Sequence, residues 1–246
     1  RLPEELAEMR LAAAVTREAH TVAMAKTRPG IYEQELVGHV EGAFARNGCV
    51  PAYNTILSVR GEVLHNHAHG NVLHETDLVL LDAGAEAASG YCSDVTRTWP
   101  VGGHFSPEAA EVYEIVLAAE KAAIEAVAPG VRYRDVHMLA ARVLTDGLVQ
   151  MGLMKGNVDA LVENGAHALF FPHGVGHLLG LDVHDLEAFG DAVAYGKGRT
   201  RSKQFGTAYL RLDLDLQPGM CVTIEPGIYF VPAILRDPAF KKQFKG

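Results

Sequence analysis

The first stretch, 3–27, is dense in Ala, Leu and Met set among Glu, the pattern of a helix that ends before Pro29-Gly30. A second helix is predicted from about Tyr32 to Arg46, with Asn47-Gly48 as its stop. The pattern then becomes strand-like through NTILSV, a turn at Arg60-Gly61-Glu62 and the apolar run DLVLLDAGA. The turn-like EAASG follows, and the β-branched and aromatic residues of YCSDVTRTW predict the returning arm of a hairpin. From Pro107 the pattern restarts. One helix is predicted over about 107–128, Pro129-Gly130 breaks it, and another covers about 133–151 with a stop at Gly152. Helix, Pro-Gly, helix, then strands thus occurs twice, with the two Pro-Gly pairs 100 positions apart. That layout predicts two related α+β halves packed about a shared centre.

A hairpin folded about Ala88 sets Asp82 opposite Asp94. Directly opposed Cβ atoms lie ~5 Å apart, and two like charges there repel unless something sits between them. A pair of divalent cations, ~3.5–4 Å apart in two-metal enzymes, turns that repulsion into coordination. With His177 in FPHGVGHLLG and Glu225 in CVTIEPGIY, the two aspartates make best sense as one metal site. Three carboxylates and one imidazole suit two divalent ions, Mn²⁺ first, with Co²⁺ or Zn²⁺ as substitutes. Glu225 is expected on a strand forming one arm of a second hairpin. The only acid after it is Asp237, in the polar stretch RDPAFKKQ, so the site reads as one ligand short. The natural gene is therefore expected to continue past Gly246 into a strand carrying a Glu.

The segment FPHGVGHLLGLDVHD holds His173, His177 and His184. Two histidines four apart suggest the helical zinc motif, but Pro172, Gly174, Gly176 and Gly180 exclude a helix, and Gly174 stands where that motif needs Glu. An irregular or extended backbone is predicted instead, its glycines letting the chain approach a metal or a substrate closely. His65, beside His67 and His69 in VLHNHAHGN, reads equally well as part of a surface loop or as a functional group.

Composition narrows the partners. With 246 residues, 48% of them apolar, the chain has ample material for a core, as one large domain or two small ones. A net charge of −8 and a pI near 5.8 argue against nucleic-acid binding, and the short run Lys241, Lys242 and Lys245 reads as a solvated terminus. No stretch is long and apolar enough to span a membrane, and no secretory signal opens the sequence. Cys49, Cys92 and Cys221 are too few and too scattered for a disulfide framework or a cysteine zinc site. Cys92 and Cys221 read as buried small hydrophobes, and a reducing, cytoplasmic compartment fits them.

Taken together, RPGIYEQEL, PAYNTILSV, VLHNH, LLDAGAE, SDVTRTWPV, PHGVGHLLGLDVHD and VTIEPGIYF resemble the pita-bread metallopeptidases and, within them, the Xaa-Pro aminopeptidases. The resemblance covers nearly the whole chain. It implies one α+β catalytic domain over residues 1–246, with helices outside a curved, mostly antiparallel sheet and an internal pseudo-two-fold. It implies Asp82 on one metal, Asp94 bridging both, and His177 and Glu225 on the second, with Glu225 also helping to handle the proton. His65, His173 and His184 match the family's histidines that contact substrate and stabilise or shuttle charge near the scissile bond. The implied reaction removes an N-terminal residue that precedes proline, whose tertiary amide lacks the N–H most peptidases grip. The implied partner is a proline-containing peptide; a homo-oligomer stays open. Two features depart from the family: a fifth, bridging Glu has no counterpart before Gly246, and the N-terminal domain that usually precedes the opening helix is absent. A dipeptidase (prolidase) is the runner-up, and methionine aminopeptidase the nearest other enzyme. The non-enzyme alternative is an inactive pita-bread domain that only binds peptides, which the four retained ligands disfavour.

Overall fold

A computed structural model describes residues 1–244; Lys245 and Gly246 lie outside the described residues, and Lys241 and Lys242 are exposed. The chain divides into two compact units. The first takes Arg1–Ser106 with Leu179–Asp185. Its helix α1 (Pro3–Lys26) opens on a proline, tolerated where no intrahelical N–H bond is needed. Ala12, Val15, Thr16, Ala19, His20 and Ala23 form one buried stripe at spacings of three and four. The stripe shares a core with Leu36, Val40, Ala43 and Phe44 of α2 (Glu33–Arg46). Its polar members are satisfied: the Thr16 hydroxyl meets Ser93 Oγ at 2.7 Å, and the His20 ring reaches the carbonyls of Thr16 and Val95.

The strands of this unit are β1 (Val50–Pro51), β2 (Ile56–Ser58), β3 (Leu78–Ala83), β4 (Ala85–Glu86) and β5 (Val95–Pro100). They form a three-stranded sheet in the order β2-β3-β5 and a two-stranded ladder β1-β4, all antiparallel. Along β3 the residues alternate: Val79, Leu81 and Ala83 are buried in the core, while Leu78, Leu80 and Asp82 are only half-buried on the other face.

The hairpin forms as expected, but its register differs. Asp82 pairs with Thr96 and Ala83 with Val95, so Asp94 is diagonal to Asp82 and sits just before β5 rather than within it. The cause is the turn. Gly90 N–H donates to the Ala87 carbonyl at 2.8 Å and Ala87 N–H to Tyr91 at 2.9 Å, enclosing three loop residues centred on Ser89 instead of Ala88. Gly90 takes the left-handed position (φ 85) that such a three-residue hairpin loop requires.

The second unit takes Pro107–Leu178 and the chain from Leu186 on. It contains α3 (Pro107–Ala126), α4 (Tyr133–Gln150) and α5 (Val158–Glu163), followed by the short helices α6 (Asp191–Ala194), α7 (Pro232–Arg236) and α8 (Pro238–Gln243). Tyr133, Val136, Ala140 and Leu144 of α4 pack with Ala119 and Ala123 of α3 and with Phe171, Val175 and Leu212. The described residues of this unit form bridges rather than named strands, so the strand expected around Glu225 is corrected to an extended segment with a single bridge, Leu178↔Val222. Gly176, at φ 152, interrupts the partner segment, and Pro226, which has no N–H, ends the ladder directly after Glu225.

The duplication read from the sequence reappears in hydrogen bonds. In the first unit Gly30 N–H donates to Leu73 O (2.8 Å), Leu73 N–H to Ile31 O (2.9 Å) and Glu33 N–H to Asn71 O (3.0 Å). In the second, Gly130 donates to Leu216 (2.7 Å), Leu216 to Val131 (2.8 Å) and Tyr133 to Leu214 (2.9 Å). The β2–β3 pairing of Ile56 with Asp82 likewise matches the bond from Glu225 N–H to Val175 O. Glu225 thus occupies in its unit the place of Asp82, each nine positions beyond the equivalent Leu216 and Leu73. Of the cysteines, Cys49 and Cys92 are buried, while Cys221 is only half-buried, and all three are free. No helix among the described residues is long and apolar enough to cross a membrane.

Within α4, His137 is fully buried, its ring centroid 5.2 Å from Phe171 and 6.1 Å from His167, and neither of its ring nitrogens has a hydrogen-bond partner among the described residues. Burial, reinforced by the neighbouring His167, lowers His137 to about 3; burial lowers His167 to about 4, partly offset by the Val162 carbonyl. Both rings are neutral in the fold and take up protons in the unfolded chain below about 6.5. Their contribution to stability is therefore complete above that pH and is lost as pH falls toward 4, at up to about 1.4 kcal/mol per pH unit for each ring. Urea unfolding at pH 7, 6 and 5 should show this loss, and His137→Leu should flatten the pH slope by up to about 1.4 kcal/mol per pH unit; an unchanged slope would contradict the assignment.

Candidate metal centre

In the first unit β3 carries Asp82 on the face away from the core, and Asp94 precedes β5 at a position of the same parity, two residues before Thr96. The side chain that joins them is Tyr53, from the loop before β2. Its hydroxyl lies 2.5 Å from Asp82 Oδ1 and 2.8 Å from Asp94 Oδ1. One phenolic proton shared by two carboxylates holds both acids toward one point. Burial, followed by the charges of Asp82 and Asp94, pushes the Tyr53 phenol well above its ordinary range, so it stays protonated as a donor. The other two first-unit candidates, His65 and His184, are exposed: His65 in the loop after β2, His184 in the segment Leu179–Asp185. His65 has φ 55, the only left-handed residue other than glycine among the described residues.

In the second unit the PHGVGH segment runs extended beside residues 222–225, as predicted for a glycine-rich backbone. Thr223 N–H donates to His177 O (2.9 Å) and Glu225 N–H to Val175 O (2.8 Å). The contact is close because Gly176 has no side chain: a Cβ there would stand 2.3 Å from Thr223 O and 2.6 Å from Tyr133 Oη. The Thr223 hydroxyl accepts from His177 N–H (3.0 Å) and donates to Glu225 Oε1 (2.8 Å). Tyr133 donates its hydroxyl to Thr223 O at 2.7 Å from below. These bonds bring His177 Nε2 to 3.2 Å from Glu225 Oε1, while His177 Nδ1 lies 2.8 Å from the carbonyl of Leu178. His173 is held in the same manner, Nδ1 at 2.8 Å from Gly174 O and Nε2 at 3.1 Å from the Tyr229 hydroxyl.

Each unit therefore assembles one pair of the four candidate ligands: Asp82 with Asp94, and His177 with Glu225. A carbonyl opposite Nδ1 makes that nitrogen the N–H donor and leaves Nε2 with its lone pair, the tautomer of a metal-binding histidine. Two donors on one ion at ~2.0–2.2 Å and a right angle stand about 3.0 Å apart, close to the His177–Glu225 separation. The residues present thus fit a divalent cation. Tyr53, Thr223 and Tyr229 were not among the candidates. Thr223 was within reach of the period-two rule, since it stands two residues from Glu225 on the same side of an extended segment; Tyr53 and Tyr229 carry no local signal.

The sequence profile described as metallopeptidase family M24 matches residues 7–243. The chain is 39% identical to an Xaa-Pro aminopeptidase of Escherichia coli K12, covering 99% of this chain and 51% of the relative. It is 37% identical to a human Xaa-Pro dipeptidase, covering 96% and 49%. A solved zinc-substituted Escherichia coli aminopeptidase P in complex with product superposes with a TM-score of 0.83 at 38% identity, covering 98% of this chain and 51% of that one. The chain spans about half the length of the curated relatives it matches. Its fold is the pita-bread fold of these peptidases, and by profile, identity and structure alike the chain belongs to metallopeptidase family M24.

Proposed function

We propose that this chain forms the catalytic domain of an Xaa-Pro aminopeptidase, with Asp82, Asp94, His177 and Glu225 as protein ligands of two divalent cations. The observation that carries the reading is His177, its Nδ1 committed to the Leu178 carbonyl and its Nε2 turned toward Glu225 at 3.2 Å. In this reading Asp82 would hold one ion, His177 and Glu225 would hold the other, and Asp94 would be shared between them. The oxygen-rich donor set favours Mn²⁺, with Co²⁺ or Zn²⁺ as substitutes. When bound, the cations supply Lewis acidity for the scissile carbonyl and lower the pKa of an attacking water.

The chain's own groups do the rest. The Thr223 hydroxyl donates to Glu225 Oε1, which leaves Oε2 to accept and pass on the proton. His173, oriented by Tyr229, and the exposed His65 and His184 contact the peptide, the last two beside the proline ring. Three free cysteines fit work in a reducing compartment such as the cytoplasm.

Metal analysis of the full-length protein should find two divalent ions per chain, and chelation should abolish hydrolysis until Mn²⁺ is restored. Thr223→Val keeps the shape and removes the hydroxyl, so it should weaken metal affinity about 10–100-fold, and His177→Ala should weaken it more. Activity indifferent to chelators, with no stoichiometric metal, would refute the ligand assignment. The dipeptidase relative favours a second reading, prolidase. Xaa-Pro-Xaa tripeptides should be cleaved in preference to Xaa-Pro dipeptides; exclusive dipeptide cleavage moves the assignment to prolidase, and cleavage of neither with metal bound leaves a peptide-binding module.

A further inference from the structure

The geometry points to Glu33 as a positioning residue for His65. The inference rests on the proposed contact between His65 and substrate, but Glu33 lies in a different element and forms no part of the candidate metal centre. It is the first residue of α2, with its side chain fully buried. A buried carboxylate is costly unless hydrogen bonds replace its water. Here all the donors are neutral and belong to the chain on either side of the His65 loop. Oε1 accepts from Ser58 Oγ (3.0 Å), Val59 N–H (2.8 Å) and Asn71 Nδ2 (3.0 Å), and Oε2 from Asn71 N–H (3.2 Å) and Nδ2 (3.1 Å).

Val59 and Asn71 are the two ends of the 60–70 segment, so one carboxylate clamps both feet of the loop. A second tier extends inward from the clamp. Ser58 Oγ, while donating to Glu33, accepts from Arg60 N–H (2.9 Å) and from Asn66 Nδ2 (3.2 Å). Asn66 Oδ1 in turn accepts from Ala68 N–H (3.0 Å), and the His69 ring meets the Leu57 carbonyl (3.1 Å). Asn66 is the neighbour of His65, whose left-handed backbone is the exception among the described non-glycine residues. Such a conformation persists only where the surroundings over-determine it. The series Glu33, Ser58, Asn66 supplies that determination and ends at the residue that follows His65 in the chain. The negative charge is needed because every partner is a donor: a glutamine would turn an NH₂ group toward N–H groups and lose at least one bond.

The test is a double-mutant cycle on the full chain, using Glu33→Gln and His65→Asn, the latter because Asn tolerates the left-handed conformation. Kinetics on an Xaa-Pro-Xaa tripeptide are combined with hydrogen exchange at the amides of 59–71 and with metal content. Glu33→Gln should lower kcat/KM about 10–100-fold through misplacement of a contact group, speed exchange in the loop and leave metal stoichiometry unchanged. In the His65→Asn background the same substitution should change kcat/KM less than about twofold. An equal loss in both backgrounds, or unchanged loop exchange, would overturn the inference. Should Glu33→Gln fail to fold, Ser58→Ala, which removes the inner tier and one bond to Glu33 while leaving Val59 and Asn71 on the carboxylate, replaces it in the cycle with the same two criteria. If the chain hydrolyses no Xaa-Pro peptide at all, the proposed function fails, and loop exchange alone then decides whether Glu33 holds the loop.

Discussion

A strand can turn only every second residue toward its core, and that constraint on β3 governs the first unit. Val79, Leu81 and Ala83 must face α1 and α2, so Leu78, Leu80 and Asp82 face the other way. The carboxylate is thereby delivered to a half-buried surface beside the strand end without any loss of core contact. β5 inherits its parity from β3 through the turn closed by Gly90, and Asp94 falls on the same face. A phenol from a third segment, Tyr53, then sets the distance between the two acids.

The second unit reaches a similar end with fewer regular elements. Its helix pair is closed by the same backbone bonds as the first, with Gly130, Val131 and Leu216 in the places of Gly30, Ile31 and Leu73. Because these bonds run between main-chain groups, the side chains around them are free to differ, which explains how two units can share a scheme with little residue identity. The acid at the equivalent position is a glutamate instead of an aspartate, and a threonine hydroxyl rather than a phenol steers it.

Much of this was legible in the chain. The four long helices fall within one or two residues of the stretches predicted from their apolar pattern and their Pro-Gly stops. The hairpin was visible too, and an error of one residue in its centre left Asp82 and Asp94 on a common face, because such an error shifts the register by two and preserves parity. The strand at Glu225 was over-read: its β-branched residues have strand propensity, but Gly176 and Pro226 deny it a continuous ladder. Tyr53 and Glu33 were not legible as functional residues. Each acts on groups far along the chain, Tyr53 on Asp82 and Asp94 and Glu33 on Val59 and Asn71, and no local pattern encodes which distant donor or acceptor a side chain will meet.

The clamp at the base of the 60–70 loop has a consequence for how this scaffold can vary. Closing a flexible segment costs free energy that grows only logarithmically, about 0.6 kcal/mol for each doubling of length. With both feet fixed by one carboxylate, the segment between them can lengthen or shorten with little effect on the sheet that bears Asp82. Reach and shape of the exposed loop are thus separated from the geometry of the acidic pair, and insertions there are a route by which evolution or an engineer can change what the loop contacts while leaving Asp82 and Asp94 in place.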